Sequence, residues 1–289
     1  MFVYRYFIYL LHQKAQIENL IMFKLKHLTL VIFFLAGIQH GFSQLGFSHE
    51  IGVITGPVAF QSDFGVRNDF ETNAGNTGFG IGIVHYINFS YRADCNCYTT
   101  DTYFNDHFKL RTELSWNKTR LDHFGKWVDR ARTSENAERL RTHSGEANNI
   151  DVGMQLEYFP LSIRSFQAFG YSFAPFVSLG AHFTSFNPKV STSYNGSTDI
   201  SNANNFFQPW VAGQSSVSDV ISEEGGTTWS IVGSVGVRYK LTPLSDLMLD
   251  LRWQYFGSNW VDGLNHKLDS NRANDWLVWL NFGYIYYLD

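Results

Sequence analysis

Thr228-Trp-Ser-Ile-Val-Gly-Ser-Val-Gly-Val-Arg-Tyr-Lys-Leu-Thr-Pro-Leu-Ser-Asp-Leu-Met-Leu-Asp-Leu-Arg-Trp-Gln-Tyr-Phe256 is the stretch whose reading decides the fold. On its first limb Trp229, Ile231, Val235, Val237, Tyr239 and Leu241 alternate with Ser230, Ser234, Arg238 and Lys240. After Thr242-Pro243-Leu244 the rhythm resumes, with Leu247, Leu249, Leu251, Trp253 and Tyr255 set against Met248, Asp250, Arg252 and Gln254. A helix would scatter these residues around its circumference, whereas a strand puts the apolar ones on one face and the charged ones on the other. Each limb exceeds the five or six residues usual in soluble sheets and approaches the roughly 9–11 that a tilted strand needs to cross a bilayer. The pattern predicts a hairpin of a membrane β-barrel with its apolar face toward lipid.

Six further stretches extend this hairpin to eight strands. The additional strands are predicted at Glu50–Thr55, Gly78–Phe89, Phe108–Asn117, Asp151–Phe159, Phe173–Thr184 and Trp276–Leu288. In the second, Gly80 and Gly82 imply a tight bend or a bulky neighbour opposite. In the third, Phe108, Leu110, Leu114 and Trp116 alternate with Lys109, Arg111, Glu113 and Ser115. In the fourth, Val152, Met154, Leu156 and Tyr158 face away from Asp151, Gln155 and Glu157, and in the last every second residue from Trp276 to Leu288 is apolar. Eight is even, as single-chain bacterial barrels require, and returns both ends to the periplasmic side. The fold class is therefore all-β: an eight-stranded antiparallel transmembrane β-barrel with long extracellular loops.

Connection lengths agree with that orientation. The outer loops fall at about 56–77, 118–150, 185–227 and 257–275 and are rich in Gly, Asn, Ser and Asp; the inner turns, at about 90–107, 160–172 and 242–245, are shorter on average. The second outer loop contains a helix signal from Ser134 to Arg141, with Ser134 as N-cap and Glu135 in the first turn. The turn 90–107 is longer than a plain turn needs to be and is the expected place for a periplasmic partner, the outer loops being the other.

Residues 22–43 have the layout of a secretory signal peptide: a basic Met22-Phe-Lys-Leu-Lys-His, an apolar core from Leu28 to Ile38, and small residues in Gly41-Phe42-Ser43 before Gln44. Residues 1–21 read as an upstream extension and residues 44–289 as the barrel. The expected location is the outer membrane of a Gram-negative bacterium, with outer-membrane lipid as the obligatory surroundings.

Composition is consistent with one large β domain. Of 289 residues 44% are hydrophobic and 17% aromatic, an excess that suits the aromatic girdles at the two membrane interfaces. The formal net charge of −4 is carried without basic blocks, which argues against nucleic acid as a partner. The two cysteines, Cys95 and Cys97, lack the second pair or His-x₃₋₅-His tract of a zinc site. In an oxidising compartment they are a candidate disulfide, as a small ring or a bridge to a partner, and two inert thiols in a turn are an equal reading.

The inward positions collect Glu50, Glu113, Glu157 and Asp250 against Lys109, Arg111, Arg238, Lys240 and Arg252. Buried charges need partners. Their near balance predicts a salt-bridged lumen, in a barrel whose interior is just wide enough for its own side chains, so a solute pore is disfavoured. For catalysis the candidates are His85 on the second strand and His182, inward with Ser178, on the fifth. Gly233-Ser234-Val235-Gly236 has the wrong spacing for a nucleophile elbow, and a satisfied interior histidine is the simpler reading. Asp262, Asp269 and Asp275 do not fit a calcium loop and read as solvated loop acids. The glycines of Gly78-Phe-Gly-Ile-Gly-Ile lie in a strand with no helix after it, so no dinucleotide site is implied. No catalytic, metal or cofactor set is expected, and the alternatives to a non-enzymatic barrel are an outer-membrane lipid-modifying enzyme and a small-solute transport or ligand-binding barrel.

The stretches His49-Glu-Ile-Gly-Val-Ile-Thr-Gly-Pro, Gln61-Ser-Asp-Phe-Gly, Arg92-Ala-Asp-Cys-Asn-Cys-Tyr, Asp246-Leu-Met-Leu-Asp-Leu-Arg-Trp-Gln-Tyr and Asp275-Trp-Leu-Val-Trp-Leu-Asn-Phe-Gly-Tyr resemble a family of small outer-membrane barrels from Bacteroidota. Some members of that family carry the label glutamate dehydrogenase, which no residue here supports. The opening Glu-Ile-Gly…Gly-Pro…Ser-Asp-Phe-Gly is also similar to the small barrel subunit of the type IX secretion apparatus. This likeness implies an accessory role in an envelope machine and brings no catalytic residue with it.

Overall fold

A computed structural model describes residues 47–66, 69–92, 103–269 and 273–288. The chain divides into two units. The larger, Ser48–Arg92 with Tyr98–Asp289, holds the barrel; of the other, Met1–Phe47 with Ala93–Cys97, only Phe47 is among the described residues. The signal-peptide reading, the upstream extension and both cysteines thus lie outside the described residues.

The strands are β1 (Phe47–Gln61), β2 (Thr77–Arg92), β3 (Phe108–Asp122), β4 (His143–Tyr158), β5 (Phe173–Phe186), β6 (Lys189–Thr192), β7 (Gly226–Thr242), β8 (Ser245–Phe256) and β9 (Trp276–Tyr287). Each pairs antiparallel with its neighbours, β1 meets β9, and the β3–β4 pairing closes the cylinder. Nine segments make eight staves, because β6 continues β5. Phe186 opposes Asn149 and Lys189 opposes Glu146, so the same register on β4 is kept across Asn187-Pro188. The described residues contain no helix long and apolar enough to cross a membrane. Closure gives every strand a partner on both sides, which is what hydrocarbon demands of a backbone.

Alternate residues divide cleanly between inside and outside. On the outside, Leu114, Val152, Met154, Val177, Leu179, Ile231, Val235, Leu249 and Phe282 are exposed. Aromatic rings border this belt: Trp116, Phe183, Trp229, Trp253 and Tyr255 toward the outer end, and Tyr239, Tyr284, Tyr286 and Phe173 toward the periplasmic end. A soluble protein cannot present such a belt to water, so the protein is an integral outer-membrane barrel.

The strands are longer than the sequence suggests, chiefly at their outer ends. β1 runs to Gln61 rather than Thr55, passing through Gly56-Pro57. Pro57 has no N–H for the ladder, and a Cβ on Gly56 would lie 1.9 Å from the Leu280 carbonyl oxygen, so the strand needs glycine to stay close to β9 there. β3 runs to Asp122 and β4 begins at His143, eight residues before the predicted start, which shortens the second outer loop to 123–142. Here the outward residues are Lys118, Arg120, Ser144, Glu146 and Asn148. Above the belt the outside of a strand meets water and head groups, so the apolar alternation that reveals a strand in lipid is lost.

The expected helix is present as α3 (Glu135–Thr142), following α1 (Phe70–Asn73) and α2 (Tyr103–His107); the Ser134 hydroxyl accepts from Ala137 N at 3.3 Å. Gly80 faces a bulky neighbour, because a Cβ there would come 2.4 Å from the Trp279 ring that fills the lumen beside it. At the periplasmic end α4 (Ile163–Gln167) buries Ile163 and Phe166, and Arg164 ties it to the preceding turn through Asp106 Oδ1 (3.0 Å, from its N–H) and Ser90 O (3.1 Å, from Nε).

Leu179 stands near the middle of the belt, between the Phe173 and Phe183 levels. Leu179→Arg should cost about 2–4 kcal/mol of folding free energy. Arg at Ser191, outside the belt on β6, should cost far less. Urea unfolding in phospholipid vesicles measures both, and equal losses would contradict the assigned belt.

Candidate functional site

Two regions bring functional groups together: the lumen and the layer formed by the outer loops. The nine charged residues expected inside are all buried, and all but Lys240 are joined to one another by ion pairs. Glu50 on β1 accepts from Lys109 Nζ at 2.5 Å and from Arg238 Nη1 at 2.7 Å. Arg238 also donates to Glu157 at 3.1 Å. Arg111 reaches Glu157 at 3.5 Å, Asp250 at 3.2 Å and Glu113 at 2.8 Å. Glu113 in turn holds Arg252 through both guanidinium nitrogens, each at 2.6 Å. The period of two places these residues on one face of each strand, and the register brings that face from β1, β3, β4, β7 and β8 to a shared centre.

Residues not singled out from the sequence complete this centre. Asp246 lies 3.4 Å from Lys240 and accepts from Tyr287 Oη at 2.5 Å. Asp151 accepts from Gln254 Nε2 at 2.7 Å, Asn117 Nδ2 at 3.1 Å and Thr184 Oγ1 at 2.5 Å. Aromatic faces cover the cations: Arg238 lies 4.1 Å over Tyr86 and Lys240 4.0 Å over Tyr287. Asp246 was missed because it stands one residue into β8, next to a turn, where alternation had not yet begun.

The structure places the two candidate histidines, His85 and His182, in different settings. His182 is in the lumen with Ser178, but each bonds Gln155 rather than the other: Ser178 Oγ donates to Oε1 at 2.8 Å, and His182 Nε2 accepts from Nε2 at 3.2 Å. Ser178 Oγ also pairs with Ser234 Oγ at 2.6 Å. His85 stacks on His49 with ring nitrogens 3.0 Å apart. No cluster of three metal-ligating side chains occurs among the described residues.

The outer loops form a second, small core. Phe64 stacks on His123 and His143 at 5.0 and 4.8 Å, and the two imidazoles share a hydrogen bond of 2.9 Å. Val220, Ile221, Val261 and Leu264 are buried beside them, and Ile221 pairs with Leu264 as a lone bridge between the third and fourth loops. Asp262 corrects the expectation of a solvated acid. It is fully buried, and its carboxylate accepts from the backbone of Asp63 at 3.0 Å and of Leu264 at 2.8 Å. Asp275 is buried too, while Asp269 is exposed. An acid that bonds backbone N–H groups of another loop is a strut, and nothing in its sequence neighbourhood distinguishes it from a solvated one. Glu223 similarly caps the free edge of β6 by accepting from Val190 N at 2.9 Å.

Within this layer is a cavity of about 390 Å³ to which all four outer loops contribute. Asp63, Val66 and Thr72 come from the first, His123, Phe124, Lys126, Trp127 and Leu140 from the second, Phe207 and Trp210 from the third, and His266 and Leu268 from the fourth. Trp210 lies parallel to His266 at 5.3 Å and edge-on to Phe207 at 5.3 Å. The cavity was not anticipated. Its signal is the run of Phe124, Trp127, Phe206, Phe207, Trp210 and Trp260 in loops expected to be polar.

Burial, reinforced by the neighbouring His143 and His266, holds the His123 imidazole well below its ordinary pKa. The unfolded chain therefore binds a proton below about 6.5 that the folded layer refuses, so stability of the layer falls as pH drops through that value and continues to fall below it. Hydrogen exchange in residues 120–143, corrected for intrinsic rates, should be faster at pH 5 than at pH 7.5, with the belt strands unchanged; equal protection at both would contradict the assignment. In the lumen, Glu113→Gln leaves Arg252 and Arg111 short of a counter-charge, and the expected loss is about 3–5 kcal/mol in urea unfolding. A loss below about 1 kcal/mol would mean that the lumen is hydrated.

No family model matches the chain, and no curated protein does. Among solved structures the chain is similar to neisserial surface protein A, with 14% identity over 82% of this chain and 96% of that chain and a TM-score of 0.39. It is also similar to the outer membrane protein OprG of Pseudomonas aeruginosa (12%, 84% and 98%, 0.41) and to Ail of Yersinia pestis, solved with the heparin analogue sucrose octasulfate (10%, 84% and 100%, 0.38). Likeness at this level assigns no ligand or activity to this chain, whose barrel rests on its own strand pairing and belt.

Proposed function

We propose that this protein is a non-enzymatic outer-membrane barrel that serves as a docking or accessory component of an envelope machine of the secretion or gliding type, working through its loop layer. The observation that carries the proposal is the lumen. Glu50, Arg238, Glu157, Arg111, Glu113 and Arg252 form one connected chain of ion pairs across the barrel. Groups committed to one another in this way plug the interior and leave little for moving solutes.

Two other features support the reading. Rings and struts from all four outer loops form one packed layer, a presentable surface in place of loose connections. The similarity of Glu50-Ile-Gly…Ser62-Asp-Phe-Gly to the small barrel subunit of the type IX apparatus points the same way. The periplasmic turns offer a second face, where Tyr103 and Phe104 on α2 are exposed.

The purified barrel should leave a planar lipid bilayer silent, and an affinity-tagged copy should bring other envelope proteins out of a mild-detergent extract. Recovery of the barrel alone would count against docking, and stepwise conductance would replace the reading with transport.

A further inference from the structure

We propose that the four-loop cavity binds a small aromatic compound bearing an acidic group, its ring held by the aromatic wall and its anion by Lys126 and Arg132 at the mouth. The proposal rests on the reading of the loop layer as the working surface and names what that surface takes.

The volume, about 390 Å³, is within the range of pockets that enclose small organic molecules. Much of the wall is ring faces and edges. Trp210 with His266 and Trp210 with Phe207 already show the parallel and edge-on geometries in which aromatic rings pack, so a further flat ring would extend an existing stack. The polar groups deeper in are engaged elsewhere. Asp63 accepts from Asn259 Nδ2 at 3.1 Å, and Thr72 Oγ1 donates to the Asp69 carbonyl at 2.8 Å. That leaves recognition of the body to shape and apolar contact.

The mouth differs in character. Lys126 and Trp127 sit together on the turn Gly125–Trp127 and are exposed. The Lys126 ammonium is 3.2 Å from Asp69, in a partly exposed pair that a ligand anion can exchange with at modest cost. Arg132 lies 5.0 Å over the Trp127 ring and donates from Nε to the Lys126 carbonyl at 2.7 Å. It has no carboxylate partner among the described residues, and its planar fork matches a carboxylate or sulfonate. An apolar, ring-lined hollow with Lys126 in its wall and Arg132 stacked on the neighbouring Trp127 is complementary to an aromatic acid.

The test uses the full barrel in phospholipid nanodiscs, with empty nanodiscs subtracted, and equilibrium dialysis of 1-naphthoate, 1-(aminomethyl)naphthalene and decanoate. The expected result is saturable one-site binding of 1-naphthoate, with the amine and decanoate each weaker by about tenfold or more. The double variant Lys126→Gln, Arg132→Gln should weaken 1-naphthoate by about tenfold, the scale of one charge-assisted contact. Trp127→Ala should weaken all three. Both variants alter exposed residues, and retained heat-modifiable gel mobility verifies the barrel. Non-saturable binding, indifference to the double variant, or decanoate or the amine binding as tightly as 1-naphthoate would each overturn the proposal. A barrel that fails to bind 1-naphthoate but stays silent in bilayers and captures envelope proteins would refute the ligand and leave the docking role intact.

Discussion

A carboxylate between two guanidinium groups in the middle of a membrane is the interaction on which this structure turns. Glu113 binds Arg252 with both oxygens and Arg111 with one, and through Arg111 the charge relation passes to Glu157, Arg238 and Glu50. Closing eight strands in hydrocarbon satisfies the backbone, but it also turns half of every strand's side chains into a narrow interior. Charges placed there are tolerable because they are paired with opposite charges, or, as at Asp151, held by neutral donors. The result is a stiff centre that ties β1, β3, β4, β7 and β8 together, independent of the belt that faces lipid.

Above the belt a different physics operates. The strands continue past the membrane by several residues, and their upper ends carry a layer held by ordinary hydrophobic contact: Phe64 against the imidazoles of His123 and His143, Phe60 against Phe256, and Val220, Ile221, Val261 and Leu264 packed together. Struts such as Asp262 and Glu223 satisfy backbone groups that loops would otherwise leave exposed. The described residues thus hold two cores, one ionic in the lumen and one apolar in the outer loops, and the helix Ile163–Gln167 buries Ile163 and Phe166 at the periplasmic end.

Legibility followed the solvent. Where strands cross lipid, the outside must be apolar and the inside need not be, so Trp229–Leu241 and Trp276–Leu288 could be read residue by residue. Where strands rise into water, as β4 does from His143 to Asn149, both faces carry polar residues and the pattern vanishes. The inward charges were legible because alternation puts them opposite the apolar face. Their pairing was not, since Glu50 and Arg238 are 188 residues apart and meet only through register.

The sequence by itself determined that the chain forms strands of membrane length, which face of each meets lipid, and that the inside is charged, because a period of two is a local property of the chain. Tertiary structure alone decided which charge meets which, that the loops condense into a layer, and that rings from four separate loops enclose one cavity. Those outcomes depend on the closure of the cylinder, which brings together residues whose separation along the chain carries no trace of their contact.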